Sequence, residues 1–234
     1  MKKMSKAAAL LAALVLVAGL TACQKKAFSD GLMFSNGLIM EGANVTGYTP
    51  DVPAKLSVPK GAAGVGTNAF SKCLVLTSVT IPDTVMTLSS NAFSNCKNLK
   101  SAKIGNSVES IDDSAFEGCK SLANLTIGDD VMLIGARAFY GCESLKSVKI
   151  PGNVLEIEAS AFAFCENLAR VMMAGSVQEI GAHAFLDCDK LEVTYEGTKT
   201  QWEGIKKDSW YGIGSFVVHC TDGDVTVKNK KADD

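Results

Sequence analysis

Histidine occurs only twice in the 234 residues, as His183 and His219. Imidazole is the side chain that titrates near neutral pH and a frequent metal ligand. His219 stands beside Cys220, but adjacent side chains point apart and no orienting group is evident, so no Cys–His nucleophile is predicted. None of the eight cysteines forms the close pairs of a zinc module. With no nucleophile–base constellation in view, neither an enzyme nor a cofactor nor a small-molecule substrate is expected. Long apolar runs are missing too. The run from Ala7 to Leu20 has fourteen residues, short of the roughly 20 that span a bilayer as a helix. Charge of one sign is also lacking: 23 basic side chains face 25 acidic ones, which gives no footprint for nucleic acid.

What is present begins at the N-terminus. Basic "MKKMSK" precedes the short apolar run, the layout of a secretory signal peptide over residues 1–22. The next four residues, "LTAC" (Leu20 to Cys23), resemble the lipobox of bacterial lipoproteins. That resemblance implies a covalent lipid on Cys23, with residues 23–28 as the lipidated N-terminus and tether, and stable anchoring needs more than one acyl chain. Gln24 stands where some inner-membrane lipoproteins carry Asp, so the resemblance points to the outer membrane or cell surface. Losing Lys2, Lys3 and Lys6 with the leader leaves 20 basic against 25 acidic side chains, a net charge of −5.

The body of the chain is periodic. Phenylalanine recurs at 70, 93, 116, 139, 162 and 185, cysteine at 73, 96, 119, 142, 165 and 188, and leucine at 76, 99, 122, 145, 168 and 191. Every interval is 23 residues, and a fixed period in the range of 20–50 marks a solenoid whose units stack. Within one unit, Ala115, Phe116 and Cys119 are spaced by three and four, which predicts one face of a short helix. Leu125 and Ile127 alternate with Thr126, which predicts a strand with one buried face. Pro59, Pro82, Gly105, Gly128 and Pro151 end these strands. The expectation is an α/β repeat solenoid with short parallel strands and one short helix per unit.

The consensus "IGxxAFxxCxxLxxVxIPxxV" resembles the BspA-like, treponemal-type leucine-rich repeats of bacterial surface antigens, from about Leu56 to Tyr195. "YEGTKTQWEGIKKDSW" and "VVHCTDGD" look like the C-terminal cap of such proteins. The resemblance implies a right-handed leucine-rich-repeat superhelix with no catalytic residues in the repeat. Its members are secreted or envelope-anchored binding proteins, some of them adhesins. The expected layout is an N-terminal cap over 29–60, opened by the turn signals Asn36-Gly37 and "YTPD", then six repeats over 61–195. A C-terminal cap over 196–226 and a frayed tail over 227–234 follow. Trp202, Trp210, Tyr211 and Phe216 have no echo 23 residues away; a cap core or an aromatic ligand site would each account for them.

The recurring cysteines raise the question of disulfides, which export permits. Equivalent side chains on neighbouring rungs keep their Cβ atoms about 4.8 Å apart, whereas a disulfide needs about 3.8 Å. The column is therefore read as packing. Function is sought at outward strand positions, where the scaffold leaves the residue free. Down successive rungs these read Thr80, Lys103, Thr126, Lys149, Met172, with Lys100 and Lys146 in a parallel column and Arg170 in a third. Two readings stay open. The lysines keep a solvated sheet from associating, or they form the footprint of an extended acidic or polar partner, a protein or another extracellular macromolecule. A periplasm-facing scaffold is the alternative role.

Overall fold

A computed structural model describes residues 32–35, 37–207 and 215–227. The leader, Cys23 and its tether, Asn36, Trp210, Tyr211 and residues 228–234 lie outside the described residues.

The chain coils as a β-solenoid with three walls per turn. One wall is a ten-stranded sheet. Strands Leu32–Ser35, Leu38–Glu41 and Asn44–Tyr48 start it as antiparallel neighbours, and two-residue parallel strands from Gly64–Val65 to Lys206–Lys207 extend it. A second wall carries the longer strands. Lys55–Ser57, Ser78–Thr80, Ser101–Lys103 and Asn124–Thr126 form a four-stranded parallel sheet. Ser147–Ile150, Arg170–Met173, Glu192–Tyr195 and Phe216–Cys220 continue it in a second sheet, closed by the antiparallel strand Gly223–Val227. The step from Arg170 to Glu192 is 22 residues rather than 23, and the strands still pair in register.

The third wall holds the Ala-Phe-x-x-Cys segment, and here the spacing misleads. It is not a helix but a run of turns. The hydrogen bonds show why. Ala92, Ser94 and Cys96 donate within their own rung to carbonyls three residues back, at 3.1, 3.1 and 3.2 Å. Asn91, Phe93 and Asn95 donate instead to Asp113, Ala115 and Glu117 of the next rung, at 2.9, 2.7 and 2.5 Å. An α-helix would spend every amide inside its own segment; alternating them lets the ladder run on through the turn. The alternation needs two left-handed residues four apart in each unit, such as Asn91 and Asn95 or Ser114 and Gly118. Outside glycine that conformation costs about 1–2 kcal/mol, which the inter-rung bonds offset.

The core is a set of columns. The six column phenylalanines are fully buried and stack with centroids 5.0–5.5 Å apart and planes within 13° of parallel. Tyr48 continues the stack beyond Phe70 at 5.6 Å. Beside them the six column cysteines are buried thiols with no disulfide among them. Each thiol from Cys96 to Cys188 donates to the carbonyl of the phenylalanine 26 residues earlier, at 3.1–3.4 Å. The thiol is a weak donor, yet it ties each rung to the one before it as well as filling space.

The outer wall has a seam. Asn124–Thr126 ends one sheet and Ser147–Ile150 begins the next, with no strand pairing between them. Leu125 at this seam is half-buried, whereas its column neighbours Val79, Ala102, Val148 and Val171 are buried. The ten-stranded wall runs past it unbroken, because Leu133–Ile134 pairs with both neighbouring strands.

Close by, two rungs approach tightly. A Cβ on Gly128 would stand 2.0 Å from the carbonyl oxygen of Gly105. Gly128→Ala must push backbone away and is expected to cost about 1–3 kcal/mol. Gly152→Ala, whose Cβ would meet nothing within 4 Å, should change stability by no more than about 0.5 kcal/mol. Paired thermal melts check the contrast, and equal melting points would contradict it.

Candidate functional site

The outward positions of the second wall form one exposed face. Strand alternation aims every second side chain outward, and the register aligns them: Ser57, Thr80, Lys103 and Thr126 stand side by side. Lys149, Met172, Thr194 and His219 continue the row beyond the seam. All are exposed. Arg170 pairs with Ser147 and Glu192 in the neighbouring row. The sequence-predicted residues Thr80, Lys103, Thr126, Lys149, Arg170 and Met172 thus share a face, in two blocks parted by the seam.

Lys100 and Lys146 sit just before their strands, and the ladder fixes their backbones. The Lys100 amide donates to the Thr77 carbonyl at 2.8 Å, and the Lys100 carbonyl accepts from Ala123 and Asn124 at 3.0 and 3.1 Å. The Lys146 carbonyl accepts from Ala169 and Arg170 at 3.0 and 3.2 Å. Both side chains are exposed.

Three other cations have acidic partners. Lys120 pairs with Glu143 at 2.6 Å, Arg137 with Glu117 at 2.5 Å and Lys206 with Glu179 at 2.5 Å. Burial works against the Glu117 carboxylate, but the Arg137 guanidinium more than offsets it and holds the carboxyl below its ordinary range. Among the described residues no acidic partner lies within salt-bridge distance of Lys100, Lys103, Lys146 or Lys149. The acidic groups gather elsewhere, around Asp113, Glu156 and Glu158. Burial, with Asp113 and Glu156 nearby, pushes the Glu158 carboxyl up.

A second stripe escaped the sequence reading. Met86, Glu109, Met132 and Leu155 stand in line, each amide donating to the carbonyl of the residue before it in that line at 2.9–3.0 Å from Glu109 onward. Met86, Met132 and Leu155 are 49%, 46% and 41% exposed and line a shallow open groove with Ser107 and Asp130. The signal was there: each directly follows a core valine, at Val85, Val131 and Val154, where a polar residue would be the default.

Among the described residues no group of three His, Cys, Asp or Glu side chains is arranged to hold a metal ion. Trp202 packs edge-on against Tyr195 at 5.4 Å and is buried, as is Phe216. Of the expected aromatic group, these two fill the C-terminal end of the core.

A leucine-rich cell surface protein from Faecalibacterium prausnitzii A2-165 is similar in structure over 77% of the chain, with 28% identity and a TM-score of 0.58. The pneumococcal vaccine antigen PcpA is similar over 75%, with 17% identity and a TM-score of 0.62. The T. pallidum leucine-rich-repeat protein TpLRR is similar over 79%, with 21% identity and a TM-score of 0.53. The last two likenesses concern the fold. The chain spans 44% of the length of each of the first two and 98% of the third. No curated protein matches it. The BspA type leucine-rich-repeat model matches in six copies over residues 56–193, more than half of the sequence. The chain belongs to the BspA type leucine-rich-repeat family.

Proposed function

We propose that this protein is a bacterial envelope protein that binds an extracellular macromolecule through the outward face of its second wall. In this reading a lipid on Cys23 anchors it and the solenoid presents the face to the outside. One observation carries the reading. Lys100, Lys103, Lys146 and Lys149 are exposed, on or just before the strands of one wall, and among the described residues none has an acidic partner within salt-bridge distance. Four like charges gathered on one wall repel and so do not stabilise the fold, whereas they would steer an acidic partner to it. The cell-surface description of the F. prausnitzii relative agrees with it.

The test replaces Lys100, Lys103, Lys146 and Lys149 with Glu in the mature chain. Binding is compared over a panel of immobilised acidic and neutral extracellular proteins and glycans. Affinity for retained partners is expected to fall by at least about tenfold. Because the four side chains are exposed, the melting point should stay near that of wild type. Undiminished binding of every retained partner would remove the face from the reading.

A further inference from the structure

The spacing of the four lysines narrows the partner, and this step rests on the function just proposed. Lys100 and Lys103 lie three residues apart along one rung, about 10 Å at roughly 3.3 Å per residue. Lys146 and Lys149 repeat the pair two rungs further on, across the seam, where the unbroken ten-stranded wall sets an axial advance of about 10 Å at about 4.8 Å per rung. The intervening rung carries Ala123 and Thr126 in the same places. The result is an open rectangle of four cations, two columns flanking a lane that runs along the solenoid axis.

The floor of that lane is polar and small. Ser78, Ser101 and Asn124 stand in register along it, and Ser147 takes the equivalent place on the next rung. Outward strand positions from Lys55 to Met172 hold a single apolar side chain, Met172 itself, at the far end. Protein partners anchor their affinity through aromatic or apolar side chains seated in dry pockets. The lane offers none. It offers hydroxyl and amide groups between charges that recur at an interval close to the length of two pyranose units.

We infer that the lane accepts an acidic polysaccharide carrying one anionic group per disaccharide, laid along the solenoid axis. Its charges meet Lys100 with Lys103 and then Lys146 with Lys149, while its hydroxyls meet Ser101, Asn124 and Ser147. Seating is set by register as well as by charge, so moving one lysine pair by a single rung should spoil it.

The experiment uses the mature chain and a register variant, A123K/T126K/K146A/K149T, which keeps the lysine count and brings the pairs onto adjacent rungs. The probes are hyaluronan oligosaccharides (one carboxylate per disaccharide), poly-L-glutamate and uncharged dextran, measured by calorimetry at physiological salt. Saturable hyaluronan binding is expected, weakened about tenfold in the register variant, with poly-L-glutamate changed less than about twofold and dextran silent. Equal hyaluronan affinity for both proteins would overturn the register claim. A larger loss for poly-L-glutamate than for hyaluronan would overturn the glycan claim in favour of an acidic polypeptide. If no hyaluronan binds but the four-glutamate variant still loses its panel partners, this inference fails and the broader reading of the face survives.

Discussion

Phe116→Ala is expected to lower the stability of the solenoid by about 3–5 kcal/mol. The ring is fully buried and lies between Phe93 at 5.1 Å and Phe139 at 5.4 Å, near the middle of the stack. Truncation removes the transfer energy of the ring and two stacking contacts. The hole cannot close, because the rung spacing is held on both sides by backbone: the Phe116 amide donates to the Ala138 carbonyl of the next rung at 2.7 Å, and the Ala115 carbonyl accepts from the Phe93 amide of the rung before at 2.7 Å. Domains of this size have about 5–15 kcal/mol in total, so the loss is a large share. Position matters as well. A repeat array holds together through nearest-neighbour interfaces, and a break at a central rung uncouples two halves. Denaturant unfolding followed by circular dichroism should therefore show an earlier and broader transition. Phe70→Ala, at the end capped by Tyr48, should keep a single sharp transition. A change below about 1 kcal/mol at Phe116 would mean that the column does not carry the stack.

How far this was legible in the sequence depends on which residues spoke. Phe70 through Phe185 at constant spacing gave the rungs, and the alternation around Val79, Ala102 and Val148 gave the buried side of the second wall. From that the outward face followed, including Lys103 and Lys149. The Ala-Phe-x-x-Cys segment did not read correctly, because three-four spacing also describes tandem turns. Its distinguishing residues are those with positive φ. Asn91, Asn95, Gly118 and Gly141 are residue types suited to that conformation, but Lys72, Arg137 and Phe164 occupy it too. A fold-wide ladder can hold such residues there against their local preference. The seam beside Leu125 had no sequence signal, since Leu56 stands in the same column and is buried. The groove at Met86, Met132 and Leu155 went unread because a methionine after a core valine looks like more core.

Alkaline pH is expected to unfold the protein steeply, and the cysteine column is the cause. Burial pushes the thiols of Cys119, Cys142 and Cys165 above the ordinary value near 9, that of Cys73 to about 11 and that of Cys188 to about 12. Neighbouring thiols add to the rise at Cys73, Cys142 and Cys165, since a second thiolate would face the first. Ionisation would also remove the S–H donor that reaches the phenylalanine carbonyl. Below pH 9 both folded and unfolded chains keep these protons, and the column costs nothing. Above pH 9 the unfolded chain releases protons that the folded chain retains. Each thiol then subtracts up to about 1.4 kcal/mol per pH unit until its folded value is reached. Five such groups set a ceiling of about 7 kcal/mol per pH unit, enough to consume the stability of a domain within one or two units. Loss of the β-sheet signal between pH 9 and 11, reversible in the presence of reductant, is the expected result. Lysines and tyrosines titrate in the same range, so a second protein isolates the thiols. In Cys142→Ala/Cys165→Ala the drop in unfolding free energy between pH 8 and pH 10 should be smaller by about 2–3 kcal/mol. That difference is independent of any packing loss, which lowers both pH values alike. An identical drop in the two proteins would show that the alkaline transition belongs to other groups.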